Sequence, residues 1–103
     1  MNSNVCFFYH RERYNVTIAY KRVQGEFGED HSIIFGAAFC NSSDPFVKAR
    51  GREIAIGRMN LYEDAVTVSP VAARWQVHKK ILGALSQSSA RDYVPNNFRC
   101  KAD

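Results

Sequence analysis

Residues 32–61 read SIIFGAAFC-NSSDP-FVKARGREIAIGRMNL, and they change character midway. Ser32 to Cys40 is an apolar run centred on Gly36-Ala37-Ala38, short enough for a strand and flat enough for another backbone to press against it. Asn41-Ser42-Ser43-Asp44-Pro45 then offers an N-cap followed by a proline at the first helical position. The spacing predicts a helix from Pro45 to about Leu61. Gly51 and Gly57 fall inside it, each costing on the order of 1 kcal/mol relative to alanine, so close packing against a neighbour is expected. Apolar residues fall on two sides, Phe46, Val47, Ile54 and Leu61 on one and Ala49, Ala55, Ile56 and Met59 on the other. That distribution predicts a helix covered twice, by a sheet and by a second helix.

Upstream, Val16, Ile18 and Tyr20 alternate with Asn15, Thr17, Ala19 and Lys21, the period of a strand. With the apolar run Val5 to Tyr9 and the polar break Arg11-Glu12-Arg13, this predicts a hairpin. Gln24 to Asp30 holds two glycines and three acids and reads as a turn. Downstream, Ala65 to Val68 suits a short fourth strand. Ser69-Pro70 repeats the cap-then-proline grammar and predicts a second helix to about Ser86. Its stripe of Val71, Trp75, His78, Leu82 and Leu85 is expected to bury itself in a symmetric partner, making a homo-oligomer. Residues 88–103 read as an irregular tail. The expectation is one α+β domain over residues 1–103, strands within about 5–40, then helices at about 45–61 and 70–86 packed on a three- to four-stranded antiparallel sheet.

Fourteen Lys and Arg against ten Asp and Glu leave +4, which favours anionic partners. Cys6, Cys40 and Cys100 are odd in number and far apart, unlike a zinc site or a disulfide scaffold. No apolar stretch reaches the roughly eighteen residues that a membrane span needs, and Met1-Asn2-Ser3-Asn4 opens no basic-then-apolar leader. The cytoplasm is the expected location, with thiols reduced. There is no Gly-x-x-x-x-Gly-Lys phosphate loop, no Gly-x-Ser-x-Gly elbow and no His or Cys pair at zinc spacing. Neither an enzyme nor a cofactor is expected.

The positive pattern is Cys40-x-x-x-Asp44-x-Phe46-x-Lys48-x-Arg50-Gly51-Arg52-x-Ile54-Ala55-x-Gly57-Arg58. Three cations fall in the first helical turns, near a helix N-terminus whose open N–H groups also favour anions. Lys48 and Arg52 are four apart and share a face, a like-charge pair that an anion between them would make favourable. Arginine forks suit phosphate oxygens. The plainer alternative, surface arginines paired with Glu53 and Asp44, stays open on the residues alone.

This pattern resembles the Thoeris anti-defence family of phage sponges over about residues 36–62, through Asp44, Phe46, Gly51, Arg52, Gly57 and Arg58. Pro45 and Val47 depart from it, and the segment after Arg58 is longer than the pattern. The resemblance implies a non-enzymatic oligomer that sequesters a cyclic nucleotide immune signal in the host cytoplasm. Phe46 would then stack on the base, and Lys48, Arg50, Arg52 and Arg58 would hold the phosphates. Two other expectations stand beside it. A nucleic-acid binder would use the same arginines with Arg11, Arg13, Lys21, Arg22, Lys79 and Lys80. An inhibitor docking on a host defence protein would use the stripe of the second helix.

Overall fold

The strand β2 (Tyr14–Val23) is the centre of the molecule, with a run of five buried residues from Val16 to Tyr20. Alternate residues of a strand face opposite ways, so an unbroken buried run requires cover on both faces. The computed structural model, which describes residues 4–12, 14–41, 43–87, 91–95 and 98, supplies that cover. Its other elements are β1 (Cys6–Arg11), β3 (His31–Asn41), α1 (Lys48–Tyr62), β4 (Asp64–Val68) and α2 (Arg74–Leu85). The strands form one antiparallel sheet in the order β1-β2-β3-β4. This is the α+β fold that the sequence predicts, with the short fourth strand present.

One face is built from large side chains. Val16, Ile18 and Tyr20 of β2 and Ile33, Phe35 and Ala37 of β3 pack with Val68 of β4 and with Val77, Ile81 and Leu85 of α2. Val94 and Phe98 close the same core, so the described part of the C-terminal segment is irregular as expected but anchored to the core at these two residues. The rest of that expected tail, together with Arg13 and Cys100, lies outside the described residues. The other face is built from small ones. Thr17, Ala19, Gly36 and Ala38 let α1 lie close, with Gly51, Ala55 and Met59 turned inward. A Cβ on Gly36 would run into the backbone of Ala55 and Met59, and one on Gly51 would meet Thr17 Oγ1 at 2.5 Å. The flat centre expected of β3 therefore does receive a helix backbone.

Four expectations are corrected. The two helices do not cover each other, since α1 packs on the small-residue face and α2 on the large-residue face. Consequently Val47, Ile54 and Leu61 face outward on α1, at 56%, 37% and 72% exposure; its buried stripe is the residues four apart, Gly51, Ala55 and Met59. On α2 the buried stripe is Val77, Ile81 and Leu85, displaced from the expected one so that Val71 and Trp75 are exposed. Finally, both helices start late. Asp44-Pro45 forms a turn in which Asp44 N–H reaches Asn41 O at 3.0 Å, and α1 begins at Lys48 after an uncapped Val47. In the second linker the 69–72 segment is held by Arg22, which donates to the carbonyls of Ser69, Pro70 and Ala72. The helix α2 begins at Arg74, where Gln76 Oε1 accepts the Ala73 N–H at 2.7 Å.

Candidate functional site: the corner between β1 and α1

The alternation of β1 decides what the N-terminal half of α1 meets. Phe8 and His10 turn to the α2 side, where Phe8 stacks on His78 and His10 approaches Phe98 edge-on. Phe7, Tyr9 and Arg11 therefore turn to the α1 side. There Arg52 donates from Nη1 to Tyr9 Oη at 3.1 Å, with its Cζ 6.0 Å from the centre of the Phe7 ring. Lys48 Nζ lies 5.0 Å from the Tyr9 ring centre, and Arg11 Cζ lies 5.2 Å from that of Phe46. The Tyr9 and Phe46 rings meet edge to face at 6.3 Å. Three cations and three aromatic rings thus share one corner.

Beside this corner lies a pocket of about 390 Å³, walled by Phe46, Val47, Ile54, Ala38, Phe39 and Cys40 and with Thr17 on its lining. Arg50 stands at it, and Phe46 is the wall common to pocket and corner. The first turn of α1 has no side-chain cap, so its N–H groups add positive potential at the same end. Among the described residues no carboxylate forms an ion pair with Arg11, Lys48, Arg50 or Arg52. The plainer alternative of arginines neutralised by Glu53 and Asp44 has no such pair behind it.

Phe46, Lys48 and Arg52 are accordingly brought together, and Arg50 lies next to them. Arg58 is not part of the group. It sits six residues beyond Arg52, about 9 Å further along the helix axis. Its Nη1 donates to the Ala37 carbonyl at 2.9 Å and its guanidinium covers the Tyr93 ring at 4.2 Å. The β3–β4 pairing stops at Phe35, and this arginine supplies a donor to β3 beyond that point. Tyr93 stacks on Tyr62, Arg91 covers Tyr62, and Arg91 grips Asp64 with a fork at 3.0 to 3.2 Å. Burial and the neighbouring Asp64 carboxylate push the Tyr93 hydroxyl above its usual titration range. This alternation of arginines and tyrosines clasps the C-terminal segment to the sheet.

Of the residues expected at an oligomer interface, Leu85 is in the core and Leu82 packs against it. His78 is likewise engaged, its Nε2 3.2 Å from the Tyr20 hydroxyl. Only Val71 and Trp75 of that set are exposed. The wider basic set is split between the faces of the sheet. Lys79 and Lys80 are on α2, Arg22 is spent on the 69–72 segment and on His31 Nδ1, and Arg11 is at the α1 corner. Phe7, Tyr9 and the pairing of Arg11 with Phe46 complete the candidate corner, and the sequence does not point to them. The alternation of Phe7, Tyr9 and Arg11 was the available signal, but which face α1 would cover was not.

Among the described residues no group of three or more His, Cys, Asp or Glu is arranged to hold a metal ion, and no helix is long and apolar enough to cross a membrane. Comparison of the chain with protein-family models, with curated proteins and with solved structures finds no match.

Proposed function

We propose that this chain binds, without transforming it, a small ligand that carries a phosphate or similar anion beside a flat ring, at the corner between β1 and α1. One observation carries the reading: Arg11, Lys48 and Arg52 collect around the Phe46 and Tyr9 rings, with Arg50 at the adjoining pocket, and among the described residues no carboxylate is paired to any of the four. Unneutralised cations at an uncapped helix N-terminus favour an anion. A ring stacked on an aromatic contributes roughly 1 to 3 kcal/mol, and a hydrogen bond to a charged group roughly 1.5 to 3 kcal/mol. One stack with two or three charged hydrogen bonds sums to roughly 4 to 12 kcal/mol, against about 8 kcal/mol for micromolar binding. The resemblance to the Thoeris anti-defence family gives the narrower form of the proposal, a phage sponge for a cyclic nucleotide signal, with Phe46 and Arg52 as its shared residues at this corner.

Calorimetric titration with cyclic mono- and dinucleotides tests it. Arg52→Ala is expected to weaken binding by at least about tenfold, the equivalent of losing one charged hydrogen bond, while moving the melting temperature little. Arg58→Ala is expected to do the reverse, lowering the melting temperature and leaving affinity unchanged. Binding that weakens only modestly with salt over the physiological range would separate this ligand from a nucleic acid, whose affinity falls by orders of magnitude. If no nucleotide binds the wild-type chain, or if Lys48→Ala and Arg52→Ala both bind as wild type, the proposal is wrong.

A further inference from the structure

The loop between β2 and β3, residues 24–30, presents an aromatic side chain in an unusual way. Glu29 N–H donates to Glu26 O at 2.8 Å, and the Glu29 carboxylate accepts the Glu26 N–H at 3.3 Å, so the turn is closed from both sides. Gly28 at φ 79° fits the third position of a type II turn. This puts Phe27 at the corner of the turn, where it is 105% exposed. Burying such a ring is favourable, and folding of the single chain leaves that gain unrealised. Glu26, Glu29 and Asp30 surround it with negative charge, against the sign of the molecule as a whole.

The complementary surface lies on α2. Trp75, 64% exposed, forms with Val66, Gly83 and Ala84 an open groove of about 550 Å³ whose rim carries Lys79 and Lys80. Gly83 leaves the groove open, since nothing lies within 4 Å of where its Cβ would be. An apolar groove with two lysines fits an aromatic tip with three carboxylates in both shape class and charge.

We propose that the Phe27 turn of one copy docks in the Trp75–Lys79–Lys80 groove of a second copy. The two halves of this contact are different patches of one chain. The contact either repeats head to tail, building a ring or an open chain, or is exchanged reciprocally between two copies about a two-fold axis. It replaces the symmetric pairing of α2 stripes, most of which faces the core.

Sedimentation velocity from micromolar to millimolar concentration tests this. The wild-type chain is expected to exceed the 11.7 kDa of one copy. Phe27→Ala, at a fully exposed position, is expected to return it to that mass, and so is the double change Lys79→Glu with Lys80→Glu. An equimolar mixture of these two variants retains one intact knob and one intact groove, and it is expected to form dimers and nothing larger. Wild type that stays monomeric to millimolar concentration overturns the proposal. So does a Phe27→Ala variant that keeps the wild-type mass, or a mixture of the two variants that stays monomeric.

Discussion

Glycines 36 and 57 show how much one position depends on what lies next to it. Gly36 touches the backbone of α1, so alanine there must push the helix off the sheet. Gly57 faces open space from inside a helix, where alanine has nothing to displace. Gly36→Ala is expected to cost more than about 3 kcal/mol, the upper part of the overpacking range, and Gly57→Ala to add about 0.5 to 1 kcal/mol through helix propensity; urea denaturation of the two variants measures both. The sequence places a pressed backbone at Gly36 and close packing at both helix glycines; Gly36 and Gly51 are pressed and Gly57 is not. A second residue-scale expectation concerns His78. Burial and the nearby Arg74 hold its pKa below the usual histidine value, so the unfolded chain binds the proton more readily. Its contribution to stability is whole above the unfolded value, about 6.5, and is lost as pH falls below it toward the folded value. The melting temperature is expected to drop between neutral pH and mildly acidic pH, and the drop to shrink in His78→Phe.

At the scale of elements, α1 was legible as a helix and its orientation was not. Its apolar residues are spread around the axis, and the stripe it buries, Gly51, Ala55 and Met59, is mostly small. A hydrophobic count gives two apolar sides, Ile54 and Leu61 on one and Ala55 and Met59 on the other, and does not say which is covered. The physical reason that the second is covered is that β2 and β3 present Thr17, Ala19, Gly36 and Ala38 on that side, a shallow surface that small helix residues approach more closely than large ones. Ile54→Asp is expected to change stability by less than about 1 kcal/mol, as a partly exposed substitution. Ala55→Asp, which places a charge at a fully buried site, is expected to cost several kcal/mol and to abolish the cooperative thermal transition. Equal melting temperatures for the two would return α1 to the opposite face. The start of α1 was misjudged for a related reason: Asp44 and Pro45 are good starters of a helix and equally good turn residues, and Asn41 holds them as a turn.

Across the whole molecule, the sheet separates two tasks. Its large-residue face makes a core with α2 and the C-terminal segment, and its small-residue face seats α1 so that Lys48 and Arg52 lie over β1. The cationic half of the candidate site was readable from the spacing of Phe46, Lys48 and Arg52. The aromatic half was not, because Phe7 and Tyr9 come from a strand about forty residues earlier and meet the helix only through the fold. Arg58 shows the converse, a matching residue in the pattern that the fold commits to the Ala37 carbonyl. The claim that the corner between β1 and α1 is a ligand site is tested most directly by following backbone amide resonances during titration with a cyclic dinucleotide. The account predicts shifts concentrated at Phe7 to Arg11 and Phe46 to Arg52, with Tyr62, Arg91 and the amides of α2 unmoved. Shifts centred on Arg58, Tyr62 and Arg91, or spread along Lys79 and Lys80, would contradict it.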